Sequence, residues 1–101
     1  MFRNLVETNR CAVLIDGYYE WKQNVVGAQN KSGSVPFFIS LKSTPMVLAA
    51  LKMDGKVILM TQASIKGLAD IHHRMPVFLD SSTIDPWLDQ KVSFLECEMA
   101  I

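Results

Sequence analysis

Several features that mark common protein classes are scarce in this chain of 101 residues. Ten basic and ten acidic side chains give a formal net charge of zero, so no bulk electrostatic field indicates a nucleic-acid or membrane partner. The longest uncharged apolar run, PMVLAAL at 45–51, is far shorter than the roughly 20 residues that cross a bilayer. The opening MFRNLVETNR has no small-residue cleavage site of a signal peptide. We therefore expect a cytosolic or nuclear protein, in which a local basic patch can still bind an acidic partner.

Cysteine is scarce as well. Cys11 and Cys97 lie far apart and neither belongs to a CxxC pair, so we expect no disulfide and no zinc site in a reducing compartment. Buried or reactive thiols are the expectation for both. The chain also has no glycine-rich phosphate loop, and we expect no cofactor and no metal.

The composition, 50% hydrophobic and 20% charged, is typical of a single globular domain over residues 1–101 with a real core. Glycine, asparagine and serine concentrate in NVVGAQNKSGS, which predicts a surface loop over residues 24–34.

Short apolar runs between turn residues predict five strands ahead of any strong helix signal. YYEWK alternates aromatic and polar residues with a period of two, which is typical of a half-buried strand, and KMDG at 52–55 predicts a hairpin turn. The five segments are RCAVLIDG (10–17), YYEWK (18–22), PFFISL (36–41), PMVLAAL (45–51) and KVILMTQ (56–62).

Helix signals are short. KGLADIHH (66–73) predicts a turn or two of helix that ends before Pro76, because proline disfavours helical geometry in the residue that precedes it. Hydroxyl caps in SSTIDPWLDQ predict a helix with Pro86 in its first turn and with Trp87 and Leu88 facing inward. VSFLECEMA continues as helix. Together these elements predict an α+β, mainly β domain built around a mostly antiparallel sheet.

Glu20 is a candidate acid or base. If YYEWK is a strand, Tyr18, Glu20 and Lys22 share one face, while Tyr19 and Trp21 lie on the other. Glu20 then lies among aromatic rings, where a partly buried carboxylate loses hydration and can act as an acid or base near neutral pH. A solvent-facing Glu20 between core aromatics is the other interpretation of this pattern.

The stretch DIHHRMP concentrates polar side chains. His72 and His73 are adjacent and diverge by about 100° on a helix, so one metal site cannot easily use both, and Asp70-x-His72 is a weak ligand pair. A single histidine acting as a general acid or base is the better functional interpretation, with a surface or capping role as the alternative. Arg74 can hold a phosphate with its planar fork of donors, or pair with Asp70 or Asp80.

Several segments together resemble a known family. In order and approximate spacing they are similar to the SRAP family, the SOS response-associated peptidase proteins, which include proteins that process abasic sites in single-stranded DNA. The segments are RCAVLIDGYYEWK, PFFI, a strand ending in TQAS, GLADIHHRMPVFL and WLD. The resemblance covers about residues 1–89 and leaves 90–101 as a divergent C-terminal tail. It implies a partial SRAP-like fold with a mostly antiparallel, barrel-like sheet and short helices.

The resemblance also implies a chemistry. Family members begin Met-Cys-Gly-Arg, and the exposed cysteine closes a thiazolidine on the aldehyde of an abasic deoxyribose, which cross-links protein to DNA. By this resemblance Glu20 steers proton transfers and His72 protonates the sugar oxygen during ring opening. Arg74 would contact DNA phosphate, Thr61 the sugar-phosphate near the damage, and Trp21 would be a further DNA contact.

The chain departs from the family pattern at the nucleophile. Its second residue is Phe2, and the opening strand of the family is not in the sequence. Cys11 has a thiol but no free α-amine and lies in an apolar run. We therefore expect a shortened relative that binds single-stranded DNA, does not cross-link, and self-associates through exposed sheet edges.

Two other functions remain open at this point. The aromatic side chains Tyr18, Tyr19 and Trp21 fit an interaction module without catalysis. Glu20 and His72 fit a small hydrolase or peptidase that acts on a different substrate. Whether the chain is an enzyme at all is left undecided by the sequence.

Overall fold

The computed structural model describes residues 2–22, 33–41, 44–63 and 74–101. All strand pairs in this part of the chain are antiparallel, and three short helices accompany them, which confirms the mainly antiparallel α+β class. The elements are α1 (Phe2–Thr8), β1 (Arg10–Ile15), β2 (Tyr18–Lys22), β3 (Val35–Ile39), β4 (Met46–Met53), β5 (Lys56–Leu59), β6 (Thr61–Ala63), β7 (Arg74–Pro76), β8 (Phe78–Leu79), α2 (Ile84–Leu88) and α3 (Phe94–Ala100). No helix among these is long and apolar enough to span a membrane.

Strand β4 lies at the centre of the main sheet. It pairs with β1 on one side and with β5 and β8 on the other. Successive residues of a strand point to opposite faces, and Leu48, Ala49, Ala50 and Leu51 are all buried. Both faces of β4 are therefore covered, which explains why its sequence is a continuous apolar run rather than an alternating one.

The core lies between the sheet and the helices. Ala49 and Leu51 of β4 contribute one face of the sheet to a buried cluster that includes Trp87 of α2 and Cys97 of α3, and Leu5 of α1 packs against it. The helices therefore cover the face of the sheet that carries Ala49 and Leu51. The β4 residues that alternate with these two, such as Leu48, point to the opposite face.

The β4–β5 hairpin has the turn that the sequence predicts. Asp54 and Gly55 have φ angles of 50° and 75°, and the flanking residues Met53 and Lys56 are paired. Positive φ at both central residues defines a type I′ turn, whose twist matches that of the adjoining strands. The Asp-Gly pair supplies this geometry, which confirms the predicted hairpin.

The predicted single strand over 56–62 is divided at Met60. The Met60 N–H donates to Ala49 O at 3.0 Å, and Met60 O accepts from the Val77 N–H at 2.9 Å. Beyond this residue the chain leaves the main sheet, and β6 forms a separate pair with β7. The one-strand prediction was wrong because these tertiary hydrogen bonds redirect a locally uniform apolar run.

The two C-terminal helices confirm most of their predictions. Pro86 lies in the first turn of α2, and Trp87 is 1% exposed, as expected. Leu88 is 47% exposed, so its inward placement was wrong, because neighbouring helix residues diverge by about 100° and cannot both face the core. In α3 the Ser93 hydroxyl caps the helix by accepting from the Glu96 N–H.

Two predicted segments lie largely or wholly outside the described residues. The predicted helix over 66–73 falls in the undescribed range 64–73. Of the predicted surface loop over 24–34, only Gly33 and Ser34 are described. Both stay predictions.

A buried arginine joins the helices to the sheet. Arg10, at the start of β1, is only 9% exposed, and its guanidinium lies 5.5 Å from the centroid of the Trp87 ring. It donates to the backbone oxygens of Val6, Trp87, Asp89 and Val92 at 2.6–2.7 Å. One side chain thus satisfies four carbonyl groups from three separate stretches of chain.

Replacing Arg10 by lysine tests this clamp. Arg10→Lys keeps the positive charge but removes the fork of donors, so several partly buried carbonyls lose their partner. We expect the free energy of unfolding to fall by about 3 kcal/mol in urea unfolding followed by circular dichroism. The control Arg74→Lys, at an exposed position, should cost less than ~0.5 kcal/mol. Equal losses for the two variants would contradict the clamp.

The turn before α2 is organised by the Asp80 carboxylate. Its Oδ1 accepts from Ser82 Oγ at 2.7 Å, Ser82 N at 2.8 Å and Thr83 N at 3.0 Å. The Ser82 side chain first, then its backbone and Thr83, hold the pKa of Asp80 below its ordinary value. Hydrogen bonds to a carboxylate favour its charged form, so the ionised turn is the stable one.

Asp80→Asn should therefore lower the melting temperature at pH 7. A depressed folded-state pKa gives stability that is present above the unfolded value of ~4 and is lost as the pH falls through the folded value. The difference between wild type and Asp80→Asn should shrink in that acid range, measured by thermal unfolding across pH. Asp16→Asn, at an exposed carboxylate, is the control. A difference that stays constant into acid would count against the carboxylate's role.

Candidate functional site

An open groove of about 410 Å³ lies on the face of the main sheet that the helices leave uncovered. Val13 pairs with Leu48, and Ala50 with Leu59, so these side chains share the face opposite to the Ala49 and Leu51 core. Most of the groove wall is apolar. Its lining residues are Val13, Ile15, Gly17, Tyr18, Glu20, Leu48, Leu59, Thr61, Arg74, Met75 and Pro76.

Strand β2 contributes the carboxylate. Burial alternates along β2, with Tyr18, Glu20 and Lys22 partly buried and Tyr19 and Trp21 exposed, which confirms the predicted division of faces. Glu20 is one of the groove-lining side chains. The structure therefore favours the partly buried interpretation of Glu20 over the solvent-facing one.

Gly17 allows the β2–β3 ribbon to approach the end of β1. A Cβ atom at this position would lie 2.4 Å from Phe38 Cζ and 2.7 Å from Ile39 O. Contacts this short do not occur for real side chains, and one of them is to backbone. The close approach of Phe38 and Ile39 of β3 to Gly17 could not be predicted from the local sequence, because β3 is distant along the chain.

Strands β6 and β7 contribute a hydroxyl and a cation. Thr61 pairs with Pro76 and Ala63 with Arg74, so Thr61 and Arg74 are diagonal neighbours on one face of the pair. Arg74 Nη2 donates to Thr61 Oγ1 at 2.9 Å, which holds the exposed guanidinium beside the groove. Asp80, a predicted partner of Arg74, instead accepts from Ser82 and Thr83.

Tyr18 is the groove residue that the sequence analysis did not place in the catalytic set. Its ring centroid lies 6.3 Å from that of Phe78. Burial raises the pKa of Tyr18 above its ordinary value, and the charge of Glu20 raises that pKa further. The phenol is therefore kept neutral beside the carboxylate. The period-two pattern of YYEWK was the signal that could have identified it.

Other predicted site residues are not brought to the groove. Trp21 is 49% exposed on the outer face of β2, where Tyr19 and Phe38 also lie in contact, with ring centroids 5.0 Å apart. His72 and His73 lie outside the described residues, so the role of His72 stays a prediction. Among the residues that the structure describes, no three His, Cys, Asp or Glu side chains cluster to hold a metal ion.

The two cysteines differ in their surroundings. Both are free thiols. Cys97 is buried, and burial raises the pKa of its thiol, which keeps it protonated and unreactive. Cys11 lies in β1 as expected and is partly buried. Neither is among the described residues that line the groove.

Comparison with known proteins gives one consistent family. The family model described as SOS response associated peptidase (SRAP) matches residues 1–98, a range that includes most of the predicted divergent tail. The abasic site processing protein YedK of Escherichia coli is 31% identical over 92% of this chain and 43% of its own length. For the abasic site processing proteins HMCES of Pongo abelii and YobE of Bacillus subtilis, identity is 29%, with 79% and 89% of this chain covered.

Solved structures agree on the fold. A phage-related protein from Bordetella bronchiseptica matches 97% of this chain with a TM-score of 0.75 at 24% identity. A protein from Bacteroides thetaiotaomicron matches 97% of this chain with a TM-score of 0.77 at 23% identity. The chain spans 49% and 46% of these two proteins, and 43%, 32% and 43% of the three curated relatives.

Proposed function

This chain belongs to the SOS response associated peptidase (SRAP) family, and we propose that its groove binds DNA at an abasic site as part of a DNA damage response. The observation that carries the proposal is the meeting of Glu20, Thr61 and Arg74, from three strands, at one groove. The names of the relatives, abasic site processing proteins, support it.

Arg74 is the proposed phosphate contact. Its guanidinium is exposed beside the groove, and the hydrogen bond to Thr61 limits the orientations it can adopt. A planar fork of donors matches the geometry of a phosphate, and Thr61 is close enough to share contacts along the same sugar-phosphate stretch. A neutral chain can bind DNA through such local contacts, and the binding is then salt-dependent.

Glu20 is the proposed acid or base at the sugar. When a sugar fills the open groove, the apolar lining, which includes Val13, Ile15 and Leu59, would exclude water from the carboxylate, and electrostatic interactions are stronger where water is excluded. We assign His72 the complementary acid/base role by its position in the family motif. Two titratable groups in different environments can divide acid and base duties.

Single-stranded DNA is the proposed form of the ligand. An open groove walled by short strands can accept a sugar that has no partner strand. The exposed ring of Trp21 lies on the outer face of the same ribbon that carries Glu20, where it would stack on a neighbouring base. This role for Trp21 is distinct from a role in the groove itself.

Binding without cross-linking is proposed for these 101 residues on their own. A thiazolidine needs an α-amine and a thiol on the same residue, and neither Cys11 nor Cys97 has a free α-amine because each lies within the chain.

Self-association and localisation belong to the same proposal. Among the described residues β1 is an edge strand of the main sheet and carries Leu14, 67% exposed, and we propose that copies associate through this edge. A role on cellular DNA would place the protein in the cytoplasm or nucleus.

The experiment measures fluorescence anisotropy with single-stranded DNA that carries one borohydride-reduced abasic residue, which cannot form a Schiff base. Arg74→Ala should weaken binding about tenfold, because a charge-assisted hydrogen bond to phosphate is worth ~1.5–3 kcal/mol. The salt slope should fall by ~0.7, the value for one phosphate contact on a single strand.

Lys56→Ala is the matched control, since it removes an exposed cation at the β4–β5 turn that is not among the groove-lining residues. Equal weakening by Lys56→Ala would mean that only total charge matters. Loss of binding in Trp21→Ala with no effect of Arg74→Ala or Glu20→Gln would contradict the groove and favour an aromatic interaction module.

A further inference from the structure

Tyr18 lines the groove but has no role in the proposed function so far. It precedes Glu20 by two residues on β2, so both side chains lie on the same face of the strand and line the same cavity. Its ring packs near Phe78, with centroids 6.3 Å apart and planes tilted by 35°. Phe78 pairs with Leu48 of the central strand, so the ring of Tyr18 is anchored to the main sheet.

The two neighbouring polar groups have complementary hydrogen-bonding capacity. A neutral phenol has an O–H donor, whereas an ionised carboxylate only accepts. Burial, and then the charge of Glu20, raise the pKa of Tyr18 and keep its phenol protonated. The groove therefore presents a donor and an acceptor from the same face of β2 in a mostly apolar wall. A hydroxyl group, which both donates and accepts, satisfies such a pair.

We propose that Tyr18 is a specificity and positioning residue that, together with Glu20, recognises the C1′ hydroxyl of an abasic deoxyribose. The inference rests on the proposed binding of abasic DNA. An intact nucleotide carries its base at C1′ and has no hydroxyl there. In this arrangement the hydroxyl donates to the Glu20 carboxylate and accepts from the Tyr18 phenol.

The apolar surroundings make this recognition selective. A ligand without the hydroxyl leaves the phenol and the carboxylate without their partner in a wall that includes Leu48, Met75 and Pro76. Unpaired polar groups in such a site are costly, which is why sites built around a hydroxyl reject analogues that lack it. Tyr18 thus selects the damaged sugar, whereas Arg74 contacts a phosphate that every nucleotide carries.

The test compares two single-stranded oligonucleotides that cannot react covalently. One carries the borohydride-reduced abasic residue, an open chain with hydroxyls at C1′ and C4′, and the other carries a tetrahydrofuran residue, a closed ring with neither. The change in the ratio on Tyr18→Phe, rather than the wild-type ratio alone, therefore reports the contact of the phenol. We expect wild type to prefer the reduced residue about tenfold, and Tyr18→Phe to lower this ratio to about threefold, because Glu20 still accepts from the hydroxyl. The affinity of Tyr18→Phe for the tetrahydrofuran DNA should be at least the wild-type value, because no phenol is left unpaired, and this also shows that the variant is folded.

Tyr19→Phe is the matched control. It removes the same hydroxyl from the adjacent tyrosine, which is 67% exposed on the opposite face of β2, and should keep the wild-type ratio. A ratio unchanged by Tyr18→Phe, or lowered equally by Tyr19→Phe, would overturn the role of Tyr18 alone. Absence of wild-type binding to either abasic oligonucleotide would overturn the proposed function as well.

Discussion

The arrangement of the helices depends on the guanidinium of Arg10. Val6 lies in the last turn of α1 and Trp87 in the last turn of α2, and the carbonyl groups of a helix's last turn have no partner within the helix. Arg10 donates to both and also to Asp89 and Val92. A cation is favourable at the end of a helix. This side chain therefore holds both helix ends against β1.

This constraint determines which face of the sheet is available for a ligand. Because the helices are fixed on the side of Ala49 and Leu51, the side of Val13 and Leu48 is left for the groove. Alternate residues of the same strand, β4, therefore have different roles: Ala49 and Leu51 pack in the core beneath the helices, and Leu48 lines the groove. The break at Met60 then carries the chain out of the main sheet, and this brings Thr61 and, through β7, Arg74 to the groove that Glu20 lines.

Local signals predicted what depends on local chemistry. The period of two in YYEWK placed Glu20 and Tyr18 on one face, and Asp54-Gly55 predicted the hairpin, because alternation and turn geometry are properties of adjacent residues. The break at Met60 could not be predicted in this way, since its cause is hydrogen bonding to Ala49 and Val77. In the sequence Arg10 is only the first residue of a predicted strand. Its role in binding carbonyl groups could not be predicted, because those groups lie as far as 82 residues away along the chain.

In the candidate site, too, some residues could be predicted from the sequence and others could not. Family motifs named Glu20, Thr61 and Arg74, which the structure brings together at the groove. They also named Trp21, which lies on the other face of β2, and His72, which lies outside the described residues. The period of two in YYEWK separates Tyr18 from Tyr19 by face, but which of the two faces lines a groove depends on strands that are distant in sequence.

The most direct test of the account is a titration of isotope-labelled protein with single-stranded DNA containing one reduced abasic residue, followed by two-dimensional amide NMR. The account predicts that the largest chemical-shift changes occur at Gly17, Glu20, Thr61 and Arg74, with little change at the β4–β5 turn. The largest changes at that turn, or on the helix face around α3, would contradict the assignment of the groove as the DNA-binding site.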